Sequence, residues 1–238
     1  MSSTPHQDRT RELAGSLAAV RERIARAEAA AGRAPGSVSL VVVTKFFPAS
    51  DVRVLAGLGV SEVGENRHQE AEAKAAACQD LGLAWHFVGG LQSNKAAAVA
   101  GYADVVESVD RAKLLAPLAR GAQQRGTTLD ILLQVSLDPP DRAGRAGVPP
   151  RELAALAAAA AATEGLRLRG LMAVAPLGEN PATAFDRLAG IRQGFLAEHP
   201  SATVLSAGMS GDLEQAIAVG ATHVRVGSAV LGSRPLVP

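Results

Sequence analysis

The chain is 238 residues long, 47% hydrophobic but only 3% aromatic, and its net charge is +1. That length suits one large domain or two small ones, with a core built from Ala, Val and Leu. The near-neutral charge argues against a general nucleic-acid or membrane-surface binder. Cys78 is the only cysteine, which excludes an internal disulfide and a cysteine-based metal cluster.

In chain order the pattern alternates between helix and strand. Met1–Gln7 has neither a basic nor an apolar leader region, so no secretory signal is expected. Asp8–Ala31 carries Leu13, Leu17, Val20 and Ile24 at helical spacing and predicts a long amphipathic helix ending at Gly32. Val38–Thr44 is a nearly unbroken, mostly β-branched run, the pattern of a strand buried on both faces in a parallel sheet. Lys45 falls at its end, before Pro48 stops further pairing. Ser50 or Asp51 is placed to cap a short helix through Leu58. Val60–Gly64, Trp85–Val88 and Asp104–Glu107 then read as strands, each followed by a helix: Arg67–Leu81, Ser93–Ala100 and Arg111–Arg125.

The second half repeats the rhythm. Strands are expected at Leu129–Val135, Leu168–Val174, Thr203–Ala207 and Thr222–Val226. Helices are expected at Pro150–Thr163, Pro181–Glu198 and Asp212–Val219. Such alternation, with no linker or shift in composition, implies a parallel sheet, and eight units suggest a (β/α)8 TIM-type barrel with an extra N-terminal helix. Residues 1–238 are expected to form one domain. Only Leu231–Pro238 follows the last strand, leaving a bare wall for the N-terminal helix to cover. An open doubly wound sheet is the competing fold. The longest apolar tract, Leu153–Ala162, is shorter than the ~20 residues needed to span a bilayer, and a cytoplasmic location is expected.

In such a barrel, function collects in the loops after the strands, and phosphate sites favour the last two. Those loops here are Ser206-Ala207-Gly208-Met209-Ser210-Gly211-Asp212 and Arg225-Val226-Gly227-Ser228. Glycine lets backbone N–H groups approach an anion, the hydroxyls can donate, and Arg225 adds a fixed cation. A lone strand-end lysine such as Lys45 commonly just extends its head to water, but at a pocket mouth it can lose solvation and become a nucleophile. Gly89–Lys95 is not a P-loop, because Asn94 and Ala96 occupy its glycine and hydroxyl positions. His86 lies inside a strand and reads as a hydrogen-bonded core histidine. The spacing of the histidines suggests no metal site, and the G-x-S-x-G elbow is absent.

These residues resemble the pyridoxal phosphate homeostasis proteins, barrel relatives of the alanine racemase N-terminal domain. Trp85–Lys95, WHFVGGLQSNK, is the most specific element of the likeness, which runs from about Val38 to Arg234. Thr44-Lys45 before Pro48 is similar to the segment whose lysine carries the cofactor, and Gly64-Glu65-Asn66 to the loop facing its ring. Arg145-Ala146-Gly147-Val148, Gly170-Leu171-Met172, Leu205–Ser210 and Arg225–Ser228 match further motifs. Phe47, Arg67, Gly90 and Arg145 depart from the family pattern, in place of lysine, tyrosine, proline or histidine, and lysine.

The resemblance implies pyridoxal 5'-phosphate (PLP) held by Lys45 as a Schiff base. Asn66, Ser206, Met209, Ser210, Arg225, Gly227 and Ser228 complete the implied site. Ser210, Gly227 and Ser228 would donate to the phosphate, while Arg225 either joins them or faces the ring nitrogen. It further implies a non-enzymatic carrier or regulator of intracellular PLP, monomeric, with PLP-dependent apo-enzymes as partners. The alternative is a PLP-dependent amino-acid racemase. A racemase needs a second acid/base opposite the lysine, and the only tyrosine, Tyr102, is expected on the wrong barrel face.

Overall fold

The computed structural model describes residues 5–139 and 146–233. Arg145 and the chain after Ser233 lie outside the described residues.

The β-branched runs pair side by side in sequence order, all parallel, and close on themselves as an eight-stranded barrel. Its strands are β1 (Ser39–Val43), β2 (Glu62–Glu65), β3 (Ala84–Phe87), β4 (Val105–Val109), β5 (Leu129–Val135), β6 (Leu166–Ala173), β7 (Val204–Ser206) and β8 (His223–Val226). Closure is made by β8 pairing with β1, from Ser39 opposite His223 to Val42 opposite Val226. The open-sheet alternative is thereby excluded.

The helices form the outer ring: α1 (Pro5–Ala30), α2 (Ala49–Gly57), α3 (His68–Ala77), α4 (Ala96–Ala100), α5 (Leu115–Arg125), α6 (Pro150–Ala161), α7 (Pro181–Glu198), α8 (Leu213–Ala218) and α9 (Ser228–Leu231). Most element ends fall within two residues of the sequence expectation, but α1 starts at Pro5 rather than Asp8, and α4 and α5 start three and four residues late, after 3-10 turns over Ser93–Lys95 and Ala112–Leu114. The very short α9, directly after β8, is an addition to it.

Two departures have physical causes. Neither Ser50 nor Asp51 caps α2. Pro48 holds that position without a side-chain bond, and the Asp51 carboxylate is instead taken by Arg9 of α1 at 2.6 Å. The predicted Arg67–Leu81 helix breaks after Ala77 into a 3-10 turn over Gln79–Leu81.

α1 covers the closure wall as expected. Its stripe of Leu13, Leu17, Val20 and Ile24 is buried in one apolar cluster with Val52 and Leu55 of α2, Leu213 and Ile217 of α8, and Val230 and Leu231 of α9. A second cluster packs α4 to α7 against β4 to β7, with Phe185 as its largest fully buried side chain. Among the described residues, no helix is long and apolar enough to cross a membrane.

Candidate functional site

Side chains alternate across a strand, so one parity of each strand faces the barrel axis. On β1 that parity is Val41 and Val43, and it continues to Lys45. On β8 it is His223 and Arg225, continuing to Gly227. At the C-terminal mouth these positions open into a cavity of about 440 Å³, within the ~300–1,000 Å³ range of small-molecule sites. Lys45, Asn66, Met209, Ser210, Arg225, Gly227 and Ser228 all line it, with Gln134 and Met172 deeper in.

Two glycines make the approach of these loops possible. A Cβ on Gly227 would stand 3.1 Å from the Val43 carbonyl oxygen, which keeps the loop after β8 tight against the end of β1. A Cβ on Gly89 would fall 2.1 Å from the Asn66 carbonyl oxygen, so only glycine lets the loop after β3 pass behind Asn66. The two predicted hydroxyl loops also meet: Ser228 Oγ donates to Ser210 Oγ at 3.3 Å, and the Ala229 amide donates to the same oxygen at 3.4 Å.

Ser206 is not among the lining residues. It is fully buried at the end of β7, where its hydroxyl donates to Glu107 Oε2 and accepts from Arg225 Nη1, both at 2.6 Å. It therefore braces Arg225 from behind. The other side of that guanidinium donates to the Ala173 carbonyl at 2.9 Å. Burial lowers the Arg225 value, with Glu107 and Asp212 opposing, and a guanidinium keeps its proton in a protein.

Below Arg225 a polar column runs down the barrel axis. Glu107 of β4 bonds His86 Nδ1 of β3 at 2.7 Å, and Glu62 Oε2 lies 3.5 Å from His86 Nε2 and 3.8 Å from His223 Nε2. Burial alone would push the Glu107 carboxyl up, but His86, Arg225 and the Ser206 hydroxyl outweigh it and bring it down to about 2. Burial alone would lower His86, but the bond and charge of Glu107, with Glu62 and Asp104, raise it above its ordinary value. Each partner thus favours the charged form of the other. Among the described residues, no group of three or more His, Cys, Asp or Glu could hold a metal ion.

The turn after β1 is unusual. Phe46 has φ +72°, a left-handed conformation that costs a non-glycine residue about 1–2 kcal/mol. Its amide donates to Glu70 Oε1 at 2.5 Å, and the Arg67 guanidinium stands 5.1 Å from its ring centroid. Arg67, standing where the resemblance noted above would place tyrosine, thus covers this turn, and Phe47 is buried beneath Arg9, whose guanidinium is 5.7 Å from its ring centroid. Sequence reasoning assigns no role to Glu107 or Lys74. A glutamate inside the apolar VVESV strand is an available signal for Glu107, whereas Lys74 has the spacing of an ordinary surface partner for Glu70 on a helix.

The chain is thus a (β/α)8 barrel whose C-terminal mouth holds a cavity lined by a lysine, a guanidinium and two glycine-flanked hydroxyls. The model of the alanine racemase N-terminal domain matches residues 16–235. A pyridoxal phosphate homeostasis protein of Mycobacterium tuberculosis is 43% identical over 97% of this chain and 96% of its own length. One of Escherichia coli is 37% identical over 94% and 97%. The solved structure of PipY of Synechococcus elongatus with PLP bound superposes with a TM-score of 0.77 at 36% identity, covering 92% of this chain and all of that one. The chain belongs to the alanine racemase N-terminal domain family and, within it, to the pyridoxal phosphate homeostasis proteins.

The buried pair carries a pH prediction. Glu107 is depressed below the ordinary carboxylate value near ~4.3, so its stabilisation is complete above that value and is lost as pH falls toward about 2. His86 is raised, so its contribution is complete below ~6.5 and is lost as pH climbs through the raised value. Breaking one partner of a buried pair costs about 3–5 kcal/mol. Urea unfolding of Glu107→Gln between pH 2 and 7 should show that loss at neutral pH and a flatter acid limb. Parallel acid limbs for the two proteins would remove Glu107 from the account.

Proposed function

We propose that the chain binds PLP in the mouth cavity through Lys45 and holds and releases it as a carrier or regulator of intracellular PLP, without turning over amino acids. The observation that carries this reading is the meeting of Lys45 with the Ser210 and Ser228 hydroxyls in one cavity of suitable size. When bound, PLP supplies an aldehyde that condenses with a lysine amine and releases water.

The donor set fits that ligand. Ser210, Ser228 and the backbone at Gly227 suit the phosphate, which carries roughly −1.5 to −2 charges by analogy with phosphoserine. Asn66 and Met209, which line the same cavity, would border the ring. Arg225, already braced by Ser206 and the Ala173 carbonyl, suits the ring nitrogen. A guanidinium there withholds a proton and leaves the ring a weak electron sink. Besides Lys45 and Arg225, the lining among the described residues includes no titratable side chain, so a second acid/base for racemisation has no evident source; Tyr102 lies apart, stacked on His68. The names of the relatives support the homeostasis role. Transfer to PLP-dependent apo-enzymes, from a cytoplasmic monomer forming one domain, completes the proposal.

Borohydride reduction of the PLP-loaded protein followed by peptide mapping should label Lys45. Labelling mainly at Lys95 or Lys74, with Lys45→Ala retaining the full near-visible band, overturns the assignment. At the other end of the cavity, a hydrogen bond to a charged group is worth about 1.5–3 kcal/mol. Ser210→Ala should then weaken PLP binding about tenfold and leave pyridoxal, which lacks the phosphate, nearly unaffected. Equal losses for both ligands would mean that these loops do not hold the phosphate. Finally, the loaded protein incubated with L-amino acids should show no substantial change of chirality, Cα deuterium exchange or keto-acid formation. A positioned acid or base contributes about 10²–10⁴-fold, so enzyme-like turnover abolished by Lys45→Ala would restore the racemase alternative.

A further inference from the structure

Lys45 faces the cavity, but by alternation its neighbour Thr44 faces outward, into the layer between the sheet and α3. That layer contains a buried charge cluster. Lys74 is only 7% exposed and donates to the Thr44 carbonyl at 2.7 Å, to Glu65 Oε1 at 2.7 Å and to Glu70 Oε1 at 2.6 Å. The Thr44 hydroxyl donates to the same Glu65 oxygen at 2.6 Å, and the Phe46 amide to the same Glu70 oxygen. Both residues flanking Lys45 are therefore tied to one ammonium, Thr44 directly and Phe46 through Glu70.

The placement follows from helix geometry. Ala71, Lys74 and Ala75 are the buried residues of α3, at the i, i+3, i+4 spacing that makes one face, and the two alanines leave room for the lysine between the helix and the strand ends. An exposed Glu–Lys pair at i, i+4 contributes little; this one is buried and reaches the backbone of a different element. A buried ion pair is weak evidence of stabilisation, since apolar residues of similar volume often serve as well. What an apolar residue could not do is hold the Thr44 carbonyl and, through Glu70, the amide of a residue at φ +72°.

We propose that Lys74, acting with Glu65 and Glu70, is a positioning residue that fixes the direction in which the Lys45 amine enters the cavity. It thereby governs covalent capture of the PLP aldehyde but not the grip on the phosphate. The inference rests on the reading of Lys45 as the attachment point. Capture forms a carbon–nitrogen bond between amine and aldehyde and expels one water, with no other reactant needed. Such a step depends on bringing the reacting atoms to about 3–3.5 Å in the right orientation, and a turn held at both flanks supplies that.

The test compares two ligands. Pyridoxine 5'-phosphate has the same ring and phosphate but an alcohol in place of the aldehyde, so it reports the cavity without the capture step. Lys74→Met and Glu70→Ala should slow growth of the near-visible band on PLP addition at least tenfold and reduce borohydride labelling of Lys45, while pyridoxine 5'-phosphate affinity stays within about twofold. Glu70→Gln, which keeps an oxygen for the Phe46 amide, should recover most of the capture rate. Should Lys74→Met fail to fold, the half-buried Glu70 carries the comparison through its two variants. Unchanged capture in these variants, or equal loss of both ligands, overturns the positioning role. If the parent protein is not labelled at Lys45 at all, the underlying reading fails instead, and the mapping experiment tells the two failures apart.

Discussion

The pairing of β8 with β1 is the constraint on which the site depends. Parallel register sets Val42 opposite Val226, so the residues that follow each strand emerge side by side at one rim. Lys45 and Gly227-Ser228 become neighbours although most of the chain separates them. The fit is close enough that a single Cβ on Gly227 would press on the Val43 carbonyl. α1 serves the same end from outside, because its apolar stripe packs over this closure against α2, α8 and α9. The long first helix is thus part of what brings the two halves of the cavity together.

Closure also decides what can be buried inside. Side chains of one parity from all eight strands must share a narrow axis, and here part of that axis is charged. A carboxylate in such a place needs partners on several sides to offset its lost hydration. Glu107 has them in His86, Ser206 and Arg225, which come from β3, β7 and β8. The arrangement leaves Arg225 with little freedom at the cavity floor. Besides Arg225, Lys45 is the one titratable side chain among the described lining residues.

A further charged cluster lies outside the barrel wall, behind Lys45. There burial raises the Glu65 carboxyl against the opposing effects of Lys74 and Thr44, and Glu65 Oε2 has no hydrogen-bond partner among the described residues. Backbone strain at Phe46, after β1, and a half-satisfied buried carboxylate at the end of β2 thus meet around Lys74. Both are costs that a purely structural turn would have little reason to retain. Both lie beside Lys45, behind the wall of the mouth cavity.

Much of this was legible in residue order. Alternating β-branched runs and amphipathic helices determined a parallel eight-unit barrel, because strand and helix periods are local properties of sequence. The glycine–hydroxyl loops after the last two strands and the lysine after the first marked the mouth, because barrel function gathers at strand ends. Other roles depended on contacts between residues far apart in the chain. Ser206 belonged by sequence to the phosphate end, yet its hydroxyl is turned to Glu107 and Arg225. Asp51 had the character of a helix cap, yet Arg9 takes it. Glu70 and Lys74 have the spacing of a solvent-exposed pair, and only the packing of α3 over the ends of β1 and β2 turns them inward. Periodicity states which face of an element is apolar; which polar group meets a buried charge is settled by the closure of the barrel, where strands distant in sequence must satisfy one another away from water.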